Sequence, residues 1–480
     1  MIDTVPLCVD CDGTLIRTDL LHEACFRMLK RAPWRLLLLP WWALRGKAHL
    51  KDKLAQVTSF DWEVIPLREA VVARVREARA HGRRVVLVTA SPSVWAQGLA
   101  AHLGCFDEVM ASTASLNLAG AAKRDALVAR FGVGGFDYIG DSRADLAVWT
   151  HAREAWVVAK SPRLLRAVRS IAPVCVVIES DFTGPMTYLR ALRPHQWVKN
   201  VLIFVPVVAA HRNGWQDDLV AASVAFIAFS LAASAVYVLN DLLDLDADRT
   251  HSRKRFRPFA SGNLALSRGA LMLPILLGCA LAVAAAVTTE FLALLLLYLV
   301  LTALYSFWLK RQVIVDVLLL AVLYTVRILA GSASTGIVPS FWLLAFSMFL
   351  FLSLAMVKRY CELRLSLAEQ RPSLIGRGYH VSDLPVLVSI GIASGMVAVM
   401  VFALYINAPE TSNVYSNSYV LWMVPLLLLY WISRIWMKAN RGEIDQDPVL
   451  FAIRDWQSLV VVGISLMLFL LASGKYISLY

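Results

Sequence analysis

Asn240-Asp241-Leu242-Leu243-Asp244-Leu245-Asp246-Ala247-Asp248 closes a long apolar run and is followed at once by a basic loop. At helical spacing, positions 241, 244 and 248 fall on one face, with Asn240 beside them. Carboxylates at the end of a membrane helix are costly unless hydrated or paired, so they mark a functional surface. Their natural partner is Mg2+ carrying a diphosphate, because hard cations take oxygen ligands and bridge phosphates. An ordinary hydrated acidic loop is the bland alternative. The basic run that follows makes it the weaker one.

That run is Arg253-Lys254-Arg255-Phe256-Arg257-Pro258-Phe259-Ala260-Ser261-Gly262. Arginine grips phosphate oxygens with two bonds, so Lys254 and Arg257 are candidate substrate ligands, while others of the run serve lipid headgroups. The cationic theme returns at Tyr305-Ser306 with Lys310, and at Lys358-Arg359 with Glu362. Arg327 and Asp316 lie within a further apolar run and predict a lined cavity.

Working outward, about nine apolar stretches approach the roughly 20 residues that span a bilayer. They run near 198–212, 219–242, 271–288, 291–309, 313–331, 340–357, 385–406, 419–436 and 457–474. Loops after the even-numbered spans carry the Lys and Arg residues, among them Arg249, Lys310, Arg371 and Lys438. Those after spans one, three, five and seven carry only Arg212. The positive-inside rule puts the even loops and the N-terminus in the cytoplasm, and nine spans put the C-terminus outside. The implied location is a bacterial inner membrane.

The composition agrees. The 480 residues are 58% hydrophobic and only 17% charged, yet carry a net charge of +12. That is too apolar for one soluble globule. Because the basic residues of the second half sit in short loops between spans, lipid and phosphorylated substrates are the expected partners, not nucleic acid.

Before residue 185 the pattern differs. VPLCVDCDGTL (5–15), RVVLVTAS (84–91), FDYIGDS (136–142) and AWVVAKS (155–161) each read as a buried strand with a polar end. Helical patterns such as REAVVARVREARAHG (68–82) separate them. The alternation predicts a parallel sheet flanked by helices, with function at the strand carboxyl ends. The expected division is an α/β domain over 1–184 and an all-α polytopic membrane domain over 185–480. No basic segment leads into a long apolar run at the N-terminus, so no signal peptide is expected. Cys8 and Cys11 lie in an apolar strand without a second pair and read as core packing. APWRLLLLPWWALRG (32–46) is too short to span, and reads as a helix on the membrane surface or buried in a cap.

The first strand ends in Asp10-Cys11-Asp12-Gly13-Thr14. In an extended segment carboxylates at i and i+2 project to one side. Beside Mg2+, one can attack a phosphoryl group while the other acts as acid or base. Thr89, or Ser91 if the strand runs on, can donate to a phosphoryl oxygen. Lys123 can neutralise developing charge, and Gly140-Asp141-Ser142 with Asp145 supplies acidic Mg2+ ligands.

These four motifs, in this order over about residues 5–180, resemble the haloacid dehalogenase superfamily of phosphohydrolases. The resemblance implies Asp10 as nucleophile, Asp12 as the acid for the leaving group, and Thr89 and Lys123 holding the phosphoryl group. It also implies Mg2+ on Asp10, the Asp12 backbone carbonyl and Asp141, with Asp145 close by, and a cap over about 16–80.

The acidic motif, basic loop and nine spans resemble the UbiA superfamily of intramembrane prenyltransferases. The second acidic motif of its aromatic-acceptor members is replaced here by Lys358-Arg359-Tyr360-Cys361-Glu362-Leu363. That stretch, with Leu192-Arg193-Pro194-His195-Gln196-Trp197-Val198-Lys199-Asn200 and Asp447-Pro448-Val449-Leu450-Phe451, is similar to decaprenyl-phosphate phosphoribosyltransferases. The resemblance implies phosphoribosyl pyrophosphate (PRPP), or another diphosphate, as the soluble substrate and a polyprenyl phosphate as acceptor. Mg2+ would sit on Asn240, Asp241, Asp244 and Asp248. Lys199, Asn200, Lys254, Arg257, Tyr305, Lys310, Lys358, Arg359 and Glu362 would serve the substrates. A prenyltransferase for an aromatic or quinone precursor, and a transporter or scaffold with an auxiliary phosphatase, remain the other readings. A homo-oligomer is left open.

Overall fold

The computed structural model describes residues 5–159, 161–172, 175–179, 184–210, 215–370, 372–374, 377–409, 411, 415–444 and 447–473. Arg212 and Arg371, used above in sorting the loops, lie outside them. The chain divides into two compact units. One comprises Met1–Leu192 with Tyr237–Pro274, and the other Arg193–Val236 with Ile275–Tyr480. The acidic motif and its basic loop therefore belong to the same unit as the soluble part.

In the first unit β1 (Leu7–Val9), β2 (Val85–Pro92), β3 (Glu108–Ser112), β4 (Asp137–Gly140), β5 (Ala155–Ala159) and β6 (Cys175–Glu179) form a parallel sheet in the order 3-2-1-4-5-6. Successive side chains of a strand point to opposite faces, and both faces here are covered. Leu7, Val9, Val85 and Leu87 pack on one side with α1 (Leu20–Arg31), α2 (Leu38–Leu44), α3 (Lys47–Val57), α4 (Glu69–Ala80) and α5 (Ser93–Leu103). Cys8, Val86, Val88 and Tyr138 pack on the other with α6 (Ala121–Phe131), α7 (Leu146–Trp149) and α8 (Pro162–Arg169). Cys8 and Cys11 are wholly buried and free, and burial pushes both thiols up, as core residues rather than reactive ones. The edge strands β3 and β6 were not expected from the sequence.

Asp19 caps α1, its carboxylate accepting from the Leu21 and His22 N–H groups. Behind α1, residues 33–44 form a 3-10 turn and α2. Leu36, Leu39 and Trp42 face the core while Trp34, Leu37, Trp41 and Leu44 are exposed. The unit also holds α9 (Pro185–Leu192) and, from beyond the second span, α12 (Leu245–Thr250).

The second unit is helical. It contains α10 (Val205–Ala210), most of α11 (Trp215–Leu243) and the later part of α13 (Leu266–Ala285). It continues through α14 (Thr289–Phe307), α15 (Val315–Thr335), α16 (Phe341–Ala368), α17 (Leu384–Ile406), α18 (Met423–Arg441), α19 (Pro448–Arg454) and α20 (Trp456–Ala472). Seven helices among the described residues are long and apolar enough to cross a membrane, or eight counting the pair α19–α20, bent by 80°. They match the second to ninth expected spans. The first expected span is instead a 3-10 stretch, Pro194–Phe204, followed by the six residues of α10. Pro194 and Pro206 each lack an N–H for a helical ladder, which accounts for the interruption.

Helix α15 is the most enclosed span, 67% of its apolar window being buried against 22% for α13 and α14. Gly331 lets it approach the 3-10 stretch: a Cβ there would overlap the Ile203 carbonyl. Small residues at such crossings allow close backbone packing in membranes. Gly331→Ala is expected to destabilise the second unit by about 1–3 kcal/mol, the usual cost of overpacking. Thermal unfolding in detergent would show this as a lowered midpoint, and an unchanged midpoint would contradict it.

Candidate active sites

Asp10 follows the last residue of β1, where the chain turns and Gly13 takes φ 77°. The strand stops at Val9, so Asp10 and Asp12 do not share an extended face. Their carboxylates part, each toward its own partners. Asp10 Oδ1 accepts from Lys123 Nζ at 2.7 Å, and the same ammonium lies 2.9 Å from the Tyr138 hydroxyl. Tyr138 in turn donates to Asp145 Oδ1 at 2.8 Å. Thr14 donates to Asp141 Oδ1 at 2.9 Å. Ser142 holds the other Asp145 oxygen through its N–H and hydroxyl, at 3.0 and 2.7 Å.

Oxygens of Asp10, Asp141 and Asp145 lie within 4.8 Å of one another. Three acids gathered together, with one ammonium beside two of them, leave a net negative, largely buried cluster, an unfavourable arrangement without a further cation. Burial above all, with repulsion from Asp145 and Asp141, pushes the Asp10 carboxyl up to about 8 although Lys123 opposes it. A hard divalent cation among these oxygens would relieve that repulsion, so the donor set fits one.

Asp12 stands apart from that trio. Its carboxylate accepts from Ser91 Oγ at 2.6 Å and from the Leu20 N–H at 2.9 Å, while Thr89 Oγ1 is 3.5 Å away and accepts from the Ser91 N–H. Burial and the nearby Asp19 push Asp12 up to about 6, against the pull of Leu20 and Ser91. A carboxyl in that range can hold and release a proton near neutral pH. Ser91, the second choice from sequence, is the hydroxyl closest to Asp12; Tyr138 and Lys51 were missed. Tyr138 sits mid-strand, where an aromatic residue reads as packing. Lys51 reaches in from the cap helix α3 to the Ala90 carbonyl, at 2.6 Å, and to Asn117, at 3.1 Å.

The acidic motif lies where α11 ends and α12 begins, with Asp244 between the two helices. The i→i−4 bonds from Asp244 N to Asn240 O and from Asp248 N to Asp244 O keep the backbone nearly helical, at 2.9 and 2.8 Å. Asp241 and Asp248, 2% and 3% exposed, meet one guanidinium. Arg257 Nη1 is 3.2 Å from the first and 2.6 Å from the second. Asp244 turns away to Lys30 of α1 at 2.7 Å. The three aspartates do not gather to one point as the Asp10 trio does, but two of them share a position that already attracts positive charge. That suits a divalent cation.

The remaining candidates lie in the second unit. Lys199 pairs with Asp447, and Asn200 accepts from Arg327 Nε at 2.9 Å while donating to Ser230 at 3.0 Å. Arg327 also bonds the Leu323 carbonyl and lies over the Phe229, Tyr298 and Tyr324 rings, so this intramembrane charge is enclosed by partners. At the start of α15 and the end of α16, wholly buried Arg359 pairs with Asp316 at 2.6 Å and with Glu362. Arg377, 3.6 Å from both acids, donates to Tyr305 at 2.8 Å. Acids and bases here cancel one another, and Lys358 is half-buried beside them. Lys254 and Lys310 stand in short 3-10 turns.

Comparison with known proteins places both halves. The model of the haloacid dehalogenase-like hydrolases matches residues 7–149, and that of the UbiA prenyltransferase family matches residues 201–471. The Sinorhizobium fredii protein y4nM is 36% identical over 471 residues, 98% of this chain and 91% of that one. Nodulation protein NoeC of Azorhizobium caulinodans is 36% identical over 58% of this chain and 92% of its own length. Decaprenyl-phosphate phosphoribosyltransferase of Mycobacterium tuberculosis is 35% identical over 56% of this chain and 87% of its own. With its apolar helices and these matches, the chain is a multi-pass membrane protein that belongs to the UbiA prenyltransferase family and carries a haloacid dehalogenase-like domain ahead of the membrane part.

Proposed function

We infer that the membrane part transfers phosphoribose from PRPP to a polyprenyl phosphate, and that the phosphatase-like domain removes the 5-phosphate from the lipid-linked product. The observation that carries the first step is the likeness to decaprenyl-phosphate phosphoribosyltransferase across 87% of that enzyme's length. It agrees with the Lys358-Arg359 pair standing where aromatic-acceptor members carry a second acidic motif. Carboxylates at that position suit a second diphosphate-bound cation, whereas basic residues suit substrates bearing extra phosphates.

In this reading the ribosyl C1–oxygen bond breaks and its electron pair leaves with pyrophosphate. A lipid phosphate oxygen then attacks C1 from the opposite face. Mg2+ on Asp241, Asp244 and Asp248 would supply charge neutralisation for the leaving diphosphate. Arg257, Lys254, Lys199, Lys310 and Lys358 offer donors for phosphate oxygens. The lipid phosphate is already ionised, so the attack needs no strong base. Asn200, Tyr305, Arg359 and Glu362 are held in hydrogen-bonded or ion-paired positions and serve to orient these groups.

The resulting phosphomonoester suits the Asp10 site. Asp10 attacks phosphorus, and the ribose O5 leaves with a proton from Asp12, whose raised pKa keeps that proton available. Water, deprotonated by Asp12, then cleaves the aspartyl-phosphate. Lys123 and the Ser91–Thr89 hydroxyls stabilise charge on the phosphoryl oxygens, while Mg2+ on Asp10, Asp141 and Asp145 would supply electrostatic clamping. Both sites would face the cytoplasm of a bacterial inner membrane, with the C-terminus outside.

The test is detergent-purified full-length protein with labelled PRPP, Mg2+ and polyprenyl phosphate, the lipid products being resolved by mass. Ribosyl lipid is expected. Folded protein that makes none, yet consumes prenyl diphosphate with an aromatic acceptor, would replace this reading with prenyl transfer.

A further inference from the structure

Helix α1 carries Glu23, Arg27 and Lys30, charged residues that the phosphatase chemistry does not use. At spacings of four and three they form one stripe on the helix. Each grips a residue of the acidic segment within the same compact unit. Glu23, wholly buried, holds Arg249 through two bonds, Nη1 to Oε2 at 3.1 Å and Nη2 to Oε1 at 2.6 Å. Arg27 reaches Asp246 at 2.6 Å, braced by the Ser59 carbonyl and the Phe60 ring. Lys30 reaches Asp244 at 2.7 Å.

We propose that α1 of the phosphatase-like domain is a positioning element of the transferase, with Glu23 holding Arg249 away from the aspartates that take the divalent cation. The proposal rests on reading Asp241, Asp244 and Asp248 as cation ligands. Arg249 adjoins Asp248 in sequence, and its Nε donates to the Ala260 carbonyl at 3.1 Å. It therefore ties α12 to the loop that supplies Arg257. With Glu23 neutralised, a buried guanidinium one residue from Asp248 has strong reason to turn to the motif's carboxylates, where it competes with a metal ion. Lys30 acts with the opposite sign. Its side chain is 37% exposed, so it can leave Asp244 cheaply, and until it leaves it opposes the incoming cation. Glu23 favours cation binding and Lys30 opposes it.

That opposition separates the proposal from simple packing of one segment on another, which would make both removals harmful alike. The experiment uses the full chain carrying Asp10→Asn and Asp141→Asn, which disable the other cation cluster. Mn2+ binding is followed by the paramagnetic resonance signal of the free ion. Glu23→Gln is expected to weaken binding about tenfold, within the range seen for outer-shell partners of metal ligands. Glu23→Asp should recover part of the loss, and Lys30→Met should tighten binding about two- to threefold. The double variant Glu23→Gln/Arg249→Met removes both buried charges, so it should fold even where the single variant does not, and should bind Mn2+ close to background strength. Binding unchanged in Glu23→Gln, weakened in Lys30→Met, or as weak in the double variant as in the single one, overturns the role given to α1. A background protein with Glu23 intact that binds no Mn2+ overturns instead the cation reading of the three aspartates, and the proposal with it.

Discussion

Asp10→Asn in the full chain is expected to make the lipid product accumulate with its 5-phosphate still attached. An amide cannot form the aspartyl-phosphate, and losing one member of a catalytic unit lowers turnover by roughly 10⁴–10⁶. The variant should fold well. Asp10 is one of three clustered carboxyls, two of them beside Lys123, and burial with repulsion by Asp145 and Asp141 pushes it up to about 8. Neutralising it removes that repulsion, while the amide oxygen can still accept from Lys123. Mass analysis of the lipid products decides the matter. Phosphorylated ribosyl lipid from the variant and dephosphorylated lipid from the wild type would establish two steps and their order. The same dephosphorylated product from both would remove the Asp10 site from the reaction.

Asp241→Asn and Asp248→Asn should each lower ribosyl transfer by at least about 10²-fold, since even outer-shell partners of metal ligands cost 10–100-fold. Both side chains are almost wholly buried and share the Arg257 guanidinium, so either loss halves the negative charge that makes the position attractive to a cation. Hydrolysis of a soluble phosphate ester at the Asp10 site should stay within about twofold, because Asp241 and Asp248 pair with Arg257 rather than with the Asp10 cluster. Running both assays on one preparation separates a damaged site from a misfolded protein. Transfer that survives both substitutions would overturn the cation-ligand reading of these acids, whereas folded wild-type protein with no transferase activity at all would favour the transporter or scaffold reading.

The sequence made the candidate strand ends legible because each sits where an apolar run stops at a polar residue. Asp10 and Asp141, with Asp145 just beyond, could be named for that reason; Lys123 stands in α6 and was named for its charge, and the structure draws the four together. The edge strands escaped notice: EVMAS and CVVIE are five residues each, with no motif at either end to mark them. The first apolar run looked like a span because hydropathy does not register Pro206 within it or Pro194 just ahead of it. Tyr138 was hidden by its place within a strand. Glu23 could not be found at all, since an acid in the helical pattern LLHEACFRMLKR looks like any solvated position. Only the approach of a segment 226 residues away shows it to be buried and paired.

The separation of Glu23 and Arg249 along the chain also has a consequence for biogenesis. At roughly 5–20 residues per second, the ribosome makes Arg249 some ten to forty-five seconds after Glu23. Once β6 has been made the sheet has all six strands, yet Glu23 still lacks the cation that its buried carboxylate requires until Arg249 follows. Closure of the α1 face must wait until the segment that follows the second span has been synthesised. Completion of the first compact unit thereby depends on delivery of residues 237–274 to α1. A chain in which that segment failed to reach α1 would keep an uncompensated carboxylate there, a lesion of a kind that quality-control proteases can recognise through local unfolding.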